Sequence, residues 1–201
     1  MNTEQSYQFI KNLYIKNGIK TTAFNAFGIR NEENQDKDVW NDFIGYFTDS
    51  GALKIFKGTT DPGIYWTEHP LNVNGCSHMC LGYQENIWIV GKHRGLYTAL
   101  CNRWPAYRIK YWQDIDKKLV YANEAIQKGW AGMNLHHAND KMVSLSIGEW
   151  SAGCQVVLRI ENFNDLITAA TNSKQYYFSY FLFDKSQIAF YQDLLNDQTI
   201  S

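Results

Sequence analysis

The sequence predicts a mainly β protein of the α+β kind: one barrel-like or sandwich domain with helices near both ends. Three observations carry this. A long middle region is a succession of short β-type runs broken by glycine and proline. The aromatic load is heavy, with 7 Trp, 13 Tyr and 11 Phe in 201 residues, which suits strands and a groove that handles sugars or peptides as well as plain core packing. Helical periodicity is confined to the two ends.

Taken in order, residues 5 to 19 carry Tyr7, Ile10, Leu13, Tyr14 and Ile15 near helical spacing, with Gly18 as a stop. This gives an N-terminal helical segment, residues 1–22, ahead of a β-rich domain, residues 23–201, and the two form one unit. "RNEENQDKDVWNDF" reads as a solvated loop. "ALKIFKGTT", "GIYWTEH", "CSHMCLGYQ", "NIWIVGKH", "LYTALCNR" and "YRIKYWQ" then read as strands of an antiparallel sheet or barrel-like sandwich. "DKKLVYANEAIQKG" fits a helix or a loop crossing equally. "MNLHH", "MVSLSIG" and "CQVVLRI" read as strands, and Asn162 or Asn164 caps a helix through "DLITAATNSK". A strand, "YYFSYFLF", and a short helix, "SQIAFYQDLLND", close the chain.

Lys and Arg (19) balance Asp and Glu (20), which removes a general electrostatic reason to expect nucleic acid or an anionic membrane as partner. The first twenty residues have no apolar core of a secretory signal, and no later window is apolar enough to span a membrane. The expectation is synthesis in the cytoplasm with Cys76, Cys80, Cys101 and Cys154 as free thiols.

The chemistry-bearing stretch is "NLHHANDKMVSLSIGEWSAGCQV". A thiol becomes a nucleophile when a nearby base or positive charge favours its thiolate, and histidine is the usual partner. The 17 residues between His136 and Cys154 are enough to leave one strand, turn and return on a neighbour. Gly153 removes a Cβ where a carbonyl substrate must approach, and the N–H groups around Gly153 and Cys154 offer an oxyanion hole. The competing explanation is a buried strand cysteine and a satisfied core histidine.

The motif resembles that of the L,D-transpeptidase catalytic (YkuD) domain, a histidine followed at a distance by Ser/Thr-His-Gly-Cys. Here His136 is followed by 14 residues and then Ser-Ala-Gly-Cys, Ser151 to Cys154. The resemblance implies an L,D-transpeptidase-type fold, Cys154 as nucleophile, His136 as base, Gly153 and Ser151 as motif positions, and the His137 carbonyl as the group that orients His136. Ala152 and Val156 depart from the pattern, replacing a second histidine and an arginine or asparagine. A longer likeness, carried by "FNAFGIR", "TTDPGIYW", "HPLNVNG", "GKHRGLYTAL" and "SAGCQV", links the chain to small, mostly uncharacterised proteins of bacteria and their phages.

The activity these imply is a cysteine-dependent attack on peptidoglycan stem peptides at diaminopimelate, as an L,D-carboxypeptidase, endopeptidase or transpeptidase. It would act in the periplasm or cell wall of a target bacterium, as a phage lysis protein or an injected effector with an immunity partner. Arg94 and His93 are candidates to grip a substrate carboxylate, and Asp61 in the "TTDPG" turn to bind substrate polar groups at the groove rim. No cofactor is implied. His69, Cys76, His78 and Cys80 are chemically acceptable zinc ligands, but strand neighbours two apart are separated by about 7 Å, which favours sheet packing over a metal site. A non-catalytic wall-binding or phage structural module is the alternative from another class.

Overall fold

The computed structural model describes residues 2–32, 38–106, 108–117, 121 and 123–197. Helix α1 (Thr3–Lys16) begins at an Asn2 cap whose side chain accepts from Gln5 N–H, while the Gln5 side chain accepts from Asn2 N–H. Eight strands then close a barrel: β1 (Phe24–Arg30), β2 (Asp42–Thr48), β3 (Leu53–Thr59), β5 (Gly82–His93), β6 (Tyr97–Cys101), β9 (Leu135–His137), β10 (Gln155–Val157) and β11 (Phe178–Asp184). Their order around the barrel is β1-β11-β5-β6-β9-β10-β3-β2. A separate three-stranded sheet has the order β4-β7-β8, with β4 at Cys76–Met79, β7 at Ile109–Asp114 and β8 at Gln127–Gly129. Three further helices are α2 (Ile64–Glu68), α3 (Ile160–Asn172) and α4 (Tyr191–Asn196).

The barrel buries both faces of several strands. On β1, Phe24 and Ala26 belong to one core with Ile44, Tyr46, Trp88, Leu100, Tyr180 and the α3 residues Phe163 and Leu166. Phe27 and Ile29, facing the other way, join Tyr7, Ile10 and Tyr14 of α1 and Tyr191 and Leu194 of α4. α1 is thereby part of the same packed body, with Tyr14 Oη donating to the Ala26 carbonyl at 2.8 Å.

The mainly β reading with helices at the ends holds, and several local expectations are corrected. β1 and β2 do not appear among the strands expected, because two-sided burial removes the alternation that marks a strand facing water on one side. Arg30, Trp40, Asp42 and Phe43, expected in a solvated loop, are buried; residues 33–37 of that stretch lie outside the described residues. "GIYWTEH" forms α2, "MVSLSIG" forms no strand, and α3 starts at Ile160, ahead of both proposed asparagine caps. The sheet is not wholly antiparallel: β1–β11 and β9–β10 are parallel pairs. In the undecided stretch "DKKLVYANEAIQKG", Gln127–Gly129 is β8, while residues 118–120 and 122 lie outside the described residues.

Candidate active site around Cys154

The parallel pairing of β9 and β10 places Val156 opposite His136 and Gln155 opposite Leu135. Cys154 therefore enters its strand level with Asn134, two positions below His136 on the neighbouring strand. Asn134 holds this entry in place: its carbonyl accepts from Gln155 N–H at 2.9 Å, and its backbone N–H acts on the Cys154 sulfur to lower the thiol pKa. The sulfur also lies 3.9 Å from the Gly132 carbonyl. Neither histidine ring is hydrogen-bonded to the sulfur among the described residues.

The turn before Cys154 depends on glycine. Gly153 has φ +119°, and a Cβ there would come within 2.3 Å of the Ser77 carbonyl, so a side chain meets both backbone strain and a backbone collision. Ser151 Oγ donates to the Cys154 carbonyl at 2.8 Å and accepts from Gly153 N–H at 3.2 Å. Gly153 N–H is engaged by Ser151, and the Cys154 N–H is the local donor without a partner among the described residues, in a position to meet a developing oxyanion.

The histidine tautomers follow from their partners. A carbonyl can only accept, so the 2.7 Å contact between His136 Nδ1 and the His137 carbonyl assigns the proton to Nδ1 and leaves the lone pair of the neutral ring on Nε2. His137 makes the same contact to the Ala138 carbonyl at 2.9 Å. His93 is the opposite case. Asn134 Oδ1 accepts from Asn102 N–H at 2.8 Å, which turns Asn134 Nδ2 towards His93 Nδ1 at 3.0 Å. Since that amide donates, His93 Nδ1 accepts and its proton sits on Nε2.

The His93 and His136 rings stack at 4.1 Å. Tyr97 lies across the group, its ring 4.1 Å from that of His137 and its hydroxyl 3.4 Å from His136 Nδ1. Burial, reinforced by His93, holds His136 neutral with its pKa lowered to about 3; burial and then Arg94 lower His93 to about 4. Burial raises the Cys154 thiol to about 11, against the pull of the Asn134 N–H and the Arg94 charge. The resting pair is a thiol and a neutral imidazole.

The other sequence-derived candidates divide. Arg94 is exposed in the β5–β6 turn and its charge reaches Cys154, His93 and His136. His93 is buried and engaged by Asn134 and His136. Asp61 is paired, with Arg30 Nε and His78 Nδ1 each 3.0 Å from its carboxylate, while 32% of its side chain stays exposed. Of the possible zinc ligands, His69 is exposed and stacked on Tyr65, and Cys76 Sγ donates to the Trp66 carbonyl. No three His, Cys, Asp or Glu residues are grouped to hold a metal among the described residues.

Asn134 and Tyr97 are the site residues that sequence reasoning missed. Both lie within stretches already singled out, "MNLHH" and "GLYTAL", but their roles come from contacts 20 to 41 positions away in the chain.

A second buried polar cluster adjoins this one. Arg30 donates to the Thr60 hydroxyl and carbonyl and to the Met79 carbonyl at 2.7–3.0 Å. Asp42 accepts from Asn31 N–H and from the N–H and hydroxyl of Thr60 at 2.7–2.8 Å. His78, stacked on Trp112 at 4.2 Å, pairs with Asp61 through Nδ1, while its Nε2 faces Asp114 Oδ2 at 4.0 Å, beyond hydrogen-bond distance. Gln155 joins the two clusters, accepting from Tyr180 Oη and donating to the Thr60 carbonyl. No helix among the described residues is long and apolar enough to cross a membrane. A scan of protein-family models, a search of curated proteins and a search of solved structures each found no match to this chain.

Proposed function

We propose that the protein is a cysteine-dependent acyl-transfer enzyme acting on peptidoglycan stem peptides at diaminopimelate. The observation that carries the chemistry is the bond from His136 Nδ1 to the His137 carbonyl, because it leaves an unprotonated Nε2 on the strand next to Cys154. The substrate class rests on the resemblance of the His136 to Cys154 motif to L,D-transpeptidases.

In the proposed cycle, His136 Nε2 takes the Cys154 thiol proton as the sulfur bonds to the substrate carbonyl carbon. The carbonyl π pair moves onto oxygen, where the Cys154 N–H meets it. Collapse breaks the C–N bond, the departing amine takes the proton from His136, and a thioester remains. Water then attacks the thioester with His136 again accepting a proton, releasing a shortened stem and returning that proton to sulfur. An amine from another stem in place of water gives transpeptidation. Arg94 receives a substrate carboxylate. Val156, standing where the motif has an arginine or asparagine, favours hydrolysis. The action belongs to the cell wall of a target bacterium, as a phage lysis protein or an injected effector with an immunity partner.

A non-catalytic wall-binding module is the second reading, and one observation favours it: the thiol is held up at about 11. Mass analysis of purified muropeptides after incubation separates the two. The enzyme reading expects loss of a terminal D-amino acid or opening of a cross-link with wild type and none with Cys154→Ala. Equal products from both proteins would overturn it.

A further inference from the structure

Residues 86–113 contain five lysines and arginines and no acidic residue, and residues 125–139 contain Lys128 and no acidic residue, in a chain of net charge −1. Pairing of β7 with β8 sets Lys110 directly opposite Lys128. Like charges so placed cost stability unless an anion comes near them. The same register puts Arg108 one step beyond the Ile109–Gly129 pair, level with Trp130. The Arg103 guanidinium lies over Gly91, where a Cβ would come within 2.9 Å of it. Arg103, Arg108, Lys110 and Lys128 are all exposed, and none makes an ion pair with another described residue.

Among these cations Trp104 and Trp130 are 76% and 66% exposed. Trp130 is nevertheless fixed: its Nε1–H donates to the Asn102 carbonyl at 2.9 Å. Its six-membered ring lies 3.5 Å from where a Cβ would stand on Gly132, a residue with φ +68°. Buried Asn102 anchors the same segment, its Oδ1 accepting from Ala131 N–H and Gly132 N–H and its amide donating to the Ile87 and Ala106 carbonyls. The Gly132 carbonyl then stands 3.9 Å from Cys154 Sγ. A held indole thus adjoins the residue that touches the thiol.

We propose that Trp130, with Arg103 and Arg108 beside it, is the subsite for the saccharide ring of an anionic glycopeptide whose peptide carbonyl reaches Cys154. This deepens the acyl-transfer reading and rests on it. With its N–H already bonded, the indole offers a ligand only its face. A pyranose meets that face with C–H groups and turns its hydroxyls to the guanidinium groups, while the peptide carboxylates match the surrounding cations. Single-stranded nucleic acid suits a basic, aromatic surface too, but it has no acyl carbon for the neighbouring thiol to attack.

Binding is measured calorimetrically on full-length Cys154→Ala protein with three probes: a disaccharide-tetrapeptide, the same tetrapeptide without sugar, and a short oligothymidylate. The disaccharide-tetrapeptide is expected to bind about tenfold tighter than the bare peptide. Trp130→Ala removes that advantage without changing affinity for the bare peptide, and Trp130→Phe restores part of it. Equal affinity for the two peptides, an equal effect of Trp130→Ala on both, or tighter binding of oligothymidylate overturns the proposal. Turnover of the bare peptide by wild type but not by Cys154→Ala reports separately on the acyl-transfer reading. Turnover without a sugar advantage sinks the subsite alone, and a sugar advantage without turnover sinks the enzyme alone.

Discussion

Two buried polar clusters sit side by side in this barrel and are built on opposite electrostatic plans. Around Cys154 the groups are neutral: a thiol, three imidazoles with depressed pKa values and a phenol raised to about 12. Around Arg30 they are ionic, with Asp61 drawn below the ordinary carboxylate range by Arg30 and His78 even though burial opposes it. The difference lies in what each cluster does with a proton. The ionic cluster ties Arg30 to Asp61 and to the Thr60 and Met79 carbonyls, with the buried His78 Nε2 as its one side-chain nitrogen without a hydrogen bond among the described residues, and this suits a fixed support. The neutral one keeps a thiol proton and an imidazole lone pair on adjacent strands, which suits a proton transfer made only when a substrate arrives. Gly153 joins them, since it packs on the Ser77 carbonyl just ahead of His78.

The largest expected effect tests whether the thiol site is neutral at rest. Alkylation rate follows the thiolate fraction and rises about tenfold per pH unit below the thiol pKa. For a thiol near 11 the Cys154 rate should climb about a thousandfold from pH 7 to pH 10. Iodoacetamide labelling resolved by peptide mass keeps Cys154 apart from the other three cysteines. A plateau below pH 8 would mean a preformed thiolate–imidazolium pair, and the contrast between the clusters would fail.

The ionic cluster makes the complementary prediction, read in stability. Arg30→Ala leaves Asp61 and the Thr60 and Met79 carbonyls without their buried cation and should cost about 3–5 kcal/mol, measured by urea unfolding. Cys154→Ala should cost under about 1 kcal/mol, because the thiol has one N–H contact and a distant carbonyl. Similar costs for the two variants would show that the Arg30 cluster is not the support described.

Much of the sheet structure is readable where one face of a strand meets polar surroundings or a clear turn follows, as in β5 and β6 of the barrel and β7 of the smaller sheet. β1 was not, because "FNAFGIR" carries an asparagine, a glycine and an arginine and yet is buried throughout. Arg30 is the sharpest case. Next to "NEENQDKD" it reads as solvent-facing, and only Thr60 and Asp61, thirty positions on, supply the partners that bring it inside. At the site, the spacing of His136 and Cys154 singled out the strands that do pair. The local sequence offers the Gly153 N–H to an oxyanion hole, since nothing in it reveals that Ser151 turns back to accept that N–H. Asn134 was invisible for the same reason: its amide orientation is fixed by Asn102 and its value by His93, neither of them nearby in the chain.

The smallest effect distinguishes the clusters by the sign of their response to acid. His136 and His93 titrate near 3 and 4 in the folded protein against about 6.5 unfolded, and His137 is lowered too. Between those values the unfolded chain binds more protons, so each histidine removes stability as pH falls. Asp42 runs the other way: burial, then Asp61, raise it to about 6, above its unfolded value of about 3.9. The folded protein binds the extra proton there, and Asp42 adds stability as pH falls from 6 to 4. Asp61, lowered by its partners, loses its contribution only below about 4. Glu32, raised by burial, acts in the same direction as Asp42; each group contributes at most about 1.4 kcal/mol per pH unit, so three histidines outweigh the two carboxyls and stability falls on acidification. Asp42→Asn should steepen that fall and His93→Gln should flatten it, in urea unfolding at pH 6, 5 and 4. A flatter slope in Asp42→Asn would mean that the carboxyl is charged in the folded barrel and that its place in the ionic cluster is misassigned.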